Sequence, residues 1–138
     1  PSGAFPGLTA GHTHPSVFNT TQILFGLART WRETPTDEAS DDPWNLRNCC
    51  AHSAAVAVGW LLEVLDDDGL WRQAAYVPGF VPTYYTRAVW GVLQASDLPG
   101  MPDVCEPMRR ALDAYAQRLS ADGMVYDAGF YPGKPAYT

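Results

Sequence analysis

Asp67-Asp68-Gly69-Leu70-Trp71 returns as Ser120-Ala121-Asp122-Gly123-Met124-Val125, and Pro1-Ser2-Gly3-Ala4-Phe5 is a worn copy of the same turn at the start. Each of the first two copies stands a fixed distance ahead of an apolar stretch. Phe5 precedes Thr20 by 15 residues, and Trp71 precedes Thr86 by 15. The stretches are Val17-Phe18-Asn19-Thr20-Thr21-Gln22-Ile23-Leu24 and Tyr84-Tyr85-Thr86-Arg87-Ala88-Val89-Trp90. A fixed internal period marks stacked supersecondary units.

Working outward from the turns, the units read as helical hairpins. Ala51, Ala54, Val58, Leu61, Leu62 and Leu65 share one face at the i, i+3, i+7 spacing of an amphipathic helix. A shift of 54 turns them into Cys105, Met108, Leu112, Tyr115, Ala116 and Leu119. A shift of 66 turns Thr20, Ile23, Leu24 and Leu27 into Thr86, Val89, Trp90 and Leu93. The two shifts differ by 12, so the first unit holds about a dozen extra residues between its helices, and the polar, Pro-containing segment 34–43 supplies them. The pattern predicts an all-α chain with first helices over 17–31 and 84–95 and second helices over 46–65 and 104–119. Hairpin one then covers about 16–66, hairpin two about 82–120, and a third unit starts at 121–138.

The two helices of a unit differ in kind. Residues 18–28 and 88–96 carry no charge, which predicts inner helices surrounded by protein on most sides. In the second helix Glu106, Arg109, Arg110, Asp113, Gln117 and Arg118 point away from the apolar stripe, as on an outer helix. Repeated hairpins with a buried inner and a solvated outer member close into a ring or stack into a superhelix.

Composition bounds the function mildly. The chain has 138 residues, a net charge of −6 and a pI near 4.8, with no Lys/Arg run, which argues against nucleic-acid or anionic-membrane partners. No stretch approaches a membrane span of ~18 apolar residues. With no signal-peptide pattern, and three cysteines that make no disulfide framework, the cytoplasm is the expected location.

The order Gly-x-Phe or Gly-x-Trp, a loop, residues 17–27 and then an outer helix ending in Trp60-Leu61-Leu62-Glu63-Val64-Leu65-Asp66-Asp67-Asp68-Gly69-Leu70-Trp71 resembles the α/α-toroid proteins. These include terpenoid cyclases, protein prenyltransferase β subunits and sugar-processing epimerases and lyases. The Asp-Asp-Gly-Leu-Trp turn is similar to a reduced Gln-Trp repeat, lacking its Gln, with Val125 where the second copy should be aromatic. The resemblance implies an incomplete ring. Adding 15 to Val125 puts the next inner-helix Thr at position 140, so the third hairpin reads as cut off at its threshold and the remaining hairpins of the same chain as its expected partner.

Chemistry is expected where inner helices begin, since their loops gather at one mouth and their first amides favour anions. The candidates there are His12, His14, Tyr84 and Tyr85 as catalytic groups, and Asn19, Gln22, Arg87, Tyr126 and Asp127 as substrate contacts, with Tyr131 nearby. Each has a plainer reading. His12-Thr13-His14 suits an exposed loop and lacks a third ligand for a metal. A Tyr pair before a buried helix suits packing, although aromatic walls also bind sugars and polyprenyl chains. Arg87, beside an uncharged helix, fits a clamp for carboxylate or phosphate.

Other constellations carry less. Cys49 and His52 stand one helical turn apart but form half a metal site. Asp66-Asp67-Asp68 runs into a Gly turn and reads as solvated, and the Asp-x-Asp-Asp motif of hopene-type cyclases is absent from these residues. No metal and no cofactor are expected. The reading that follows is a carbohydrate-active toroid, epimerase-, lyase- or hydrolase-like, binding a small-molecule or oligosaccharide substrate such as a uronate at the inner-helix rim. A prenyl or terpene enzyme, or a non-catalytic scaffold, is the alternative.

Overall fold

The computed structural model describes residues 2–6, 14–35, 44–129 and 131–132. Among them the chain forms four helices and no strand, only isolated bridges. Helix α1 spans Val17–Glu33, α2 spans Leu46–Glu63, α3 spans Thr86–Ala95 and α4 spans Cys105–Ala116. A tight 3-10 turn at Thr83–Tyr85 leads into α3. The ends of α1 and α2 are set by side chains that satisfy first-turn amides: Ser16 Oγ accepts from the Asn19 N–H at 3.3 Å, and Asn45 Oδ1 accepts from the Asn48 N–H at 2.8 Å. Helix α4 stops three residues short of Leu119, because residues 119–125 are taken up by the second Gly turn.

Helix α1 packs on both α2 and α3, and α4 packs on α3. Helices α1 and α3 run side by side in the same direction: Phe18 meets Tyr84, Gln22 meets Arg87, Phe25 meets Trp90, and Arg32 reaches Gln94 and Asp97. Their close approach depends on Gly91. A Cβ there would stand 3.0 Å from the Thr21 carbonyl oxygen and 3.2 Å from its Cβ. Helix α2 returns against α1 and α4 against α3, with Arg47 of α2 donating to the Trp31 and Thr34 carbonyls, and Arg118 beyond α4 donating to the Val81 carbonyl.

The turns repeat in hydrogen bonds as well as in residues. The Asp66 N–H donates to Leu70 O at 3.0 Å and the Gly69 N–H to Asp66 O at 2.9 Å; 54 positions on, Ser120 donates to Met124 O at 2.9 Å and Gly123 to Ser120 O at 2.9 Å. Gly3 (φ 76°), Gly69 (85°) and Gly123 (83°) all adopt the left-handed conformation. Gly3 lies against the carbonyl of Val56 in α2, and Gly69 against that of Arg110 in α4. Val56 and Arg110 are again 54 apart, so a Gly turn clasps the outer helix of the hairpin that follows it.

The first hairpin buries the face read from its sequence: Ala51, Ala54, Val58, Leu61 and Leu65 are all in the core. The second buries Met108, Ala111 and Tyr115 but leaves Cys105, Leu112, Ala116 and Leu119 exposed. Nor is α3 surrounded by protein, since Leu93 is exposed and Trp90, although it meets Phe25 of α1, is exposed as well. The physical reason is position: α1 has α2 and α3 against it, whereas nothing among the described residues covers the far side of α3 and α4. No helix among the described residues is long and apolar enough to cross a membrane.

Tyr85 and Tyr115 are buried, and burial pushes both phenols up from their ordinary value. The Tyr85 hydroxyl accepts the Tyr76 N–H at 2.8 Å, while the Tyr115 hydroxyl has no hydrogen-bond partner among the described residues. The fold therefore retains phenolic protons that the unfolded chain releases near pH ~10. Stability should be full below that pH and fall as the pH rises through and beyond it. Urea melts at pH 8 and pH 10.5 should show a lower midpoint at the higher pH. Tyr115→Phe, which removes an unpaired buried hydroxyl, should shrink that drop and leave stability at pH 8 unchanged or raised by about 1 kcal/mol.

Candidate functional site

The α1–α3 pair carries two layers of aromatic contact with polar groups between them. Near the helix starts the Phe18 and Tyr84 rings lie 5.6 Å apart, tilted by 42°. A further two turns along, the Phe25 and Trp90 rings meet edge to face at 4.8 Å. Between these layers the Arg87 Nε donates to Gln22 Oε1 at 3.2 Å, and the guanidinium lies 5.5 Å from the Phe25 ring centre and 5.7 Å from that of Trp90. Those distances are within the range of a cation–π contact.

Arg29, Arg32, Arg72 and Arg109 each pair with a carboxylate, whereas Arg47, Arg87, Arg110 and Arg118 have no carboxylate partner among the described residues; of these four, Arg87 is the exposed one. The Gln22 Nε2 is buried without a partner among the described residues. The face thus offers flat apolar surface and one exposed cation flanked by two rings. Such a set can hold a planar or ring-shaped ligand bearing an anionic group.

The remaining candidates lie apart from this face or serve the scaffold. Tyr85 points into the core, one residue from Tyr84 but on the other side of the turn. Asn19 is buried, and its Nδ2 donates to the Pro6 carbonyl at 3.0 Å, tying the leading turn to α1. Tyr126 and Asp127 are exposed, and their backbone carbonyls accept from Thr83, from its hydroxyl and its N–H respectively. Tyr131 meets Tyr76 edge to face at 6.4 Å. His14 is exposed just ahead of the Ser16 cap, and His12 lies outside the described residues.

Phe18, Phe25 and Trp90 belong to this face, although on sequence they read only as inner-helix core. Their signal was spacing: Phe18 and Phe25 are seven apart on an uncharged helix, and Trp90 follows Arg87 by three. The acidic run is a solvated turn in which Arg72 binds Asp66 at 3.0 Å and Asp68 at 2.5 Å, and the hydrogen bond from Arg72 holds the Asp68 carboxyl below its usual range. Cys49, Cys50 and Cys105 form no disulfide among the described residues, and no cluster of three His, Cys, Asp or Glu side chains suited to a metal occurs among them. No family model, curated protein or solved structure matches the chain.

Proposed function

We propose that the two hairpins are an arc of an α/α toroid and that the α1–α3 face binds an acidic saccharide, such as a uronate, on the inner side of that arc. The observation that carries this reading is the state of Arg87. A guanidinium that is exposed, backed by Phe25 and Trp90, steadied by Gln22 and left without a carboxylate partner among the described residues is poised for an external anion. The aromatic rings suit the apolar faces of a pyranose. In an epimerase- or lyase-like reaction, Tyr84 or the histidines at 12 and 14 would exchange a proton at the carbon next to the carboxylate, with Arg87 stabilising the developing charge.

An isothermal titration with an oligogalacturonate tests the reading. Arg87→Ala should weaken binding by roughly ten- to a hundredfold, the 1.5–3 kcal/mol expected of a charge-assisted hydrogen bond. A neutral cello-oligosaccharide should bind weakly and be indifferent to the substitution. The aromatic wall and Arg87 would also suit a prenyl diphosphate, and geranylgeranyl diphosphate therefore belongs in the same titration. Tighter, Arg87-dependent binding of the diphosphate would transfer the site to isoprenoid chemistry, and equal affinity of wild type and Arg87→Ala for both anions would remove Arg87 from ligand binding.

A further inference from the structure

We infer that the open face of the second hairpin is a docking surface for a further helical hairpin of this same repeat, seated as the second hairpin is seated on the first. The inference is independent of any ligand on the inner helices. The molecule itself displays the interface once. Applying the 54-residue shift pairs Val58 with Leu112, Leu65 with Leu119 and Trp71 with Val125. The first members are 0%, 9% and 0% exposed; the second are 43%, 52% and 44% exposed. Positions that are enclosed at the first hairpin therefore stand open, still apolar, at the second. Tyr84, Leu112, Leu119 and Val125 line a groove of about 700 Å³ there.

The turns specify which kind of hairpin fits. Gly3 and Gly69 each rest on the outer helix of the hairpin that follows, their would-be Cβ atoms 2.5 Å from Val56 O and 2.6 Å from Arg110 O. Gly123 has the same left-handed backbone, yet among the described residues nothing lies within 4 Å of its would-be Cβ. It is a clasp without an outer helix. A second copy of this chain cannot supply one in the same seating, because its α2 is already clasped by its own Gly3. The occupant is a hairpin that takes its leading turn from Gly123. Arg87 leans over α1, towards Gln22 and Phe25, and does not line the groove.

The test extends the chain by its own repeat: residues 1–123 followed directly by residues 70–138, so that Gly123 leads into a duplicate of the second hairpin. The extended protein should be monomeric and melt higher than the 138-residue chain by about 5 °C or more. Leu119→Asp in the first copy should remove that gain while shifting the 138-residue chain by about 2 °C or less, and Gly123→Ala should be strongly destabilising only in the extended protein. An extended chain that aggregates or melts no higher would overturn the inference. So would equal effects of Leu119→Asp in both proteins, and so would a 138-residue chain that is a dimer dissolved by Leu119→Asp, since its occupant would then be a second copy.

Discussion

Replacing Gly69 by Ala should destabilise the protein by about 2–5 kcal/mol, against about 1–2 kcal/mol for the same change at Gly123. Both residues sit at nearly the same positive φ, 85° and 83°, so both variants incur the same backbone strain. Only Gly69 also meets another helix. Its new Cβ would lie 2.6 Å from Arg110 O, 2.8 Å from Arg110 C and 2.9 Å from Ala111 Cα, all backbone atoms of α4. A flexible side chain could swing away from such an overlap, but a helix backbone can only shift as a body, and α4 is anchored by buried Met108, Ala111 and Tyr115. The difference between the two variants isolates the clasp from the turn. Denaturant melts of both should show Gly69→Ala unfolding at clearly lower urea; coincident midpoints would mean that α4 yields without cost.

The helices were legible because their signals are local. The 54- and 66-residue shifts and the 3.6-residue period located all four to within a few residues, and the same shifts anticipate that Gly3 on Val56 repeats as Gly69 on Arg110. What was not legible depends on neighbours. Val58 and Leu112 are equivalent in the repeat, yet one is enclosed and the other open, and no local spacing distinguishes them. Tyr84 and Tyr85 are adjacent and chemically identical, and a single residue step around a tight turn sends one towards Phe18 and the other into the core. Arg87 could be singled out as a charge beside an uncharged helix. Gln22 could be singled out too, as a rim residue, but Phe25 and Trp90 could not, since they meet only once α1 and α3 lie parallel at the close distance that Gly91 permits. Asn19 had the chemistry of a substrate contact and instead holds the Pro6 carbonyl, a partner 13 residues back that no periodicity points to.

Trp71→Ala should be the most damaging single truncation in the first hairpin, at about 3–5 kcal/mol. The side chain is fully buried where the first turn closes over α2, so its removal forfeits a large apolar burial and leaves a cavity between helices that α3 and the Gly turn hold in place. It also has a polar duty. At the end of α2 the Leu65 N–H donates to Leu62 O, which leaves Leu61 O without its helical partner, and the Trp71 indole N–H fills that vacancy at 2.8 Å. Trp71→Phe keeps most of the apolar burial but orphans the Leu61 carbonyl, and should cost a further 1–3 kcal/mol beyond the lost volume. The second turn tolerates Val125 at this position because the equivalent carbonyl, Tyr115 O, accepts instead from the Arg118 N–H at 3.0 Å. Val125→Ala should therefore cost less than about 1 kcal/mol at its exposed site. Comparable losses for Trp71→Ala and Val125→Ala in urea melts would show that the two turns are equally enclosed, against the burial that distinguishes them here.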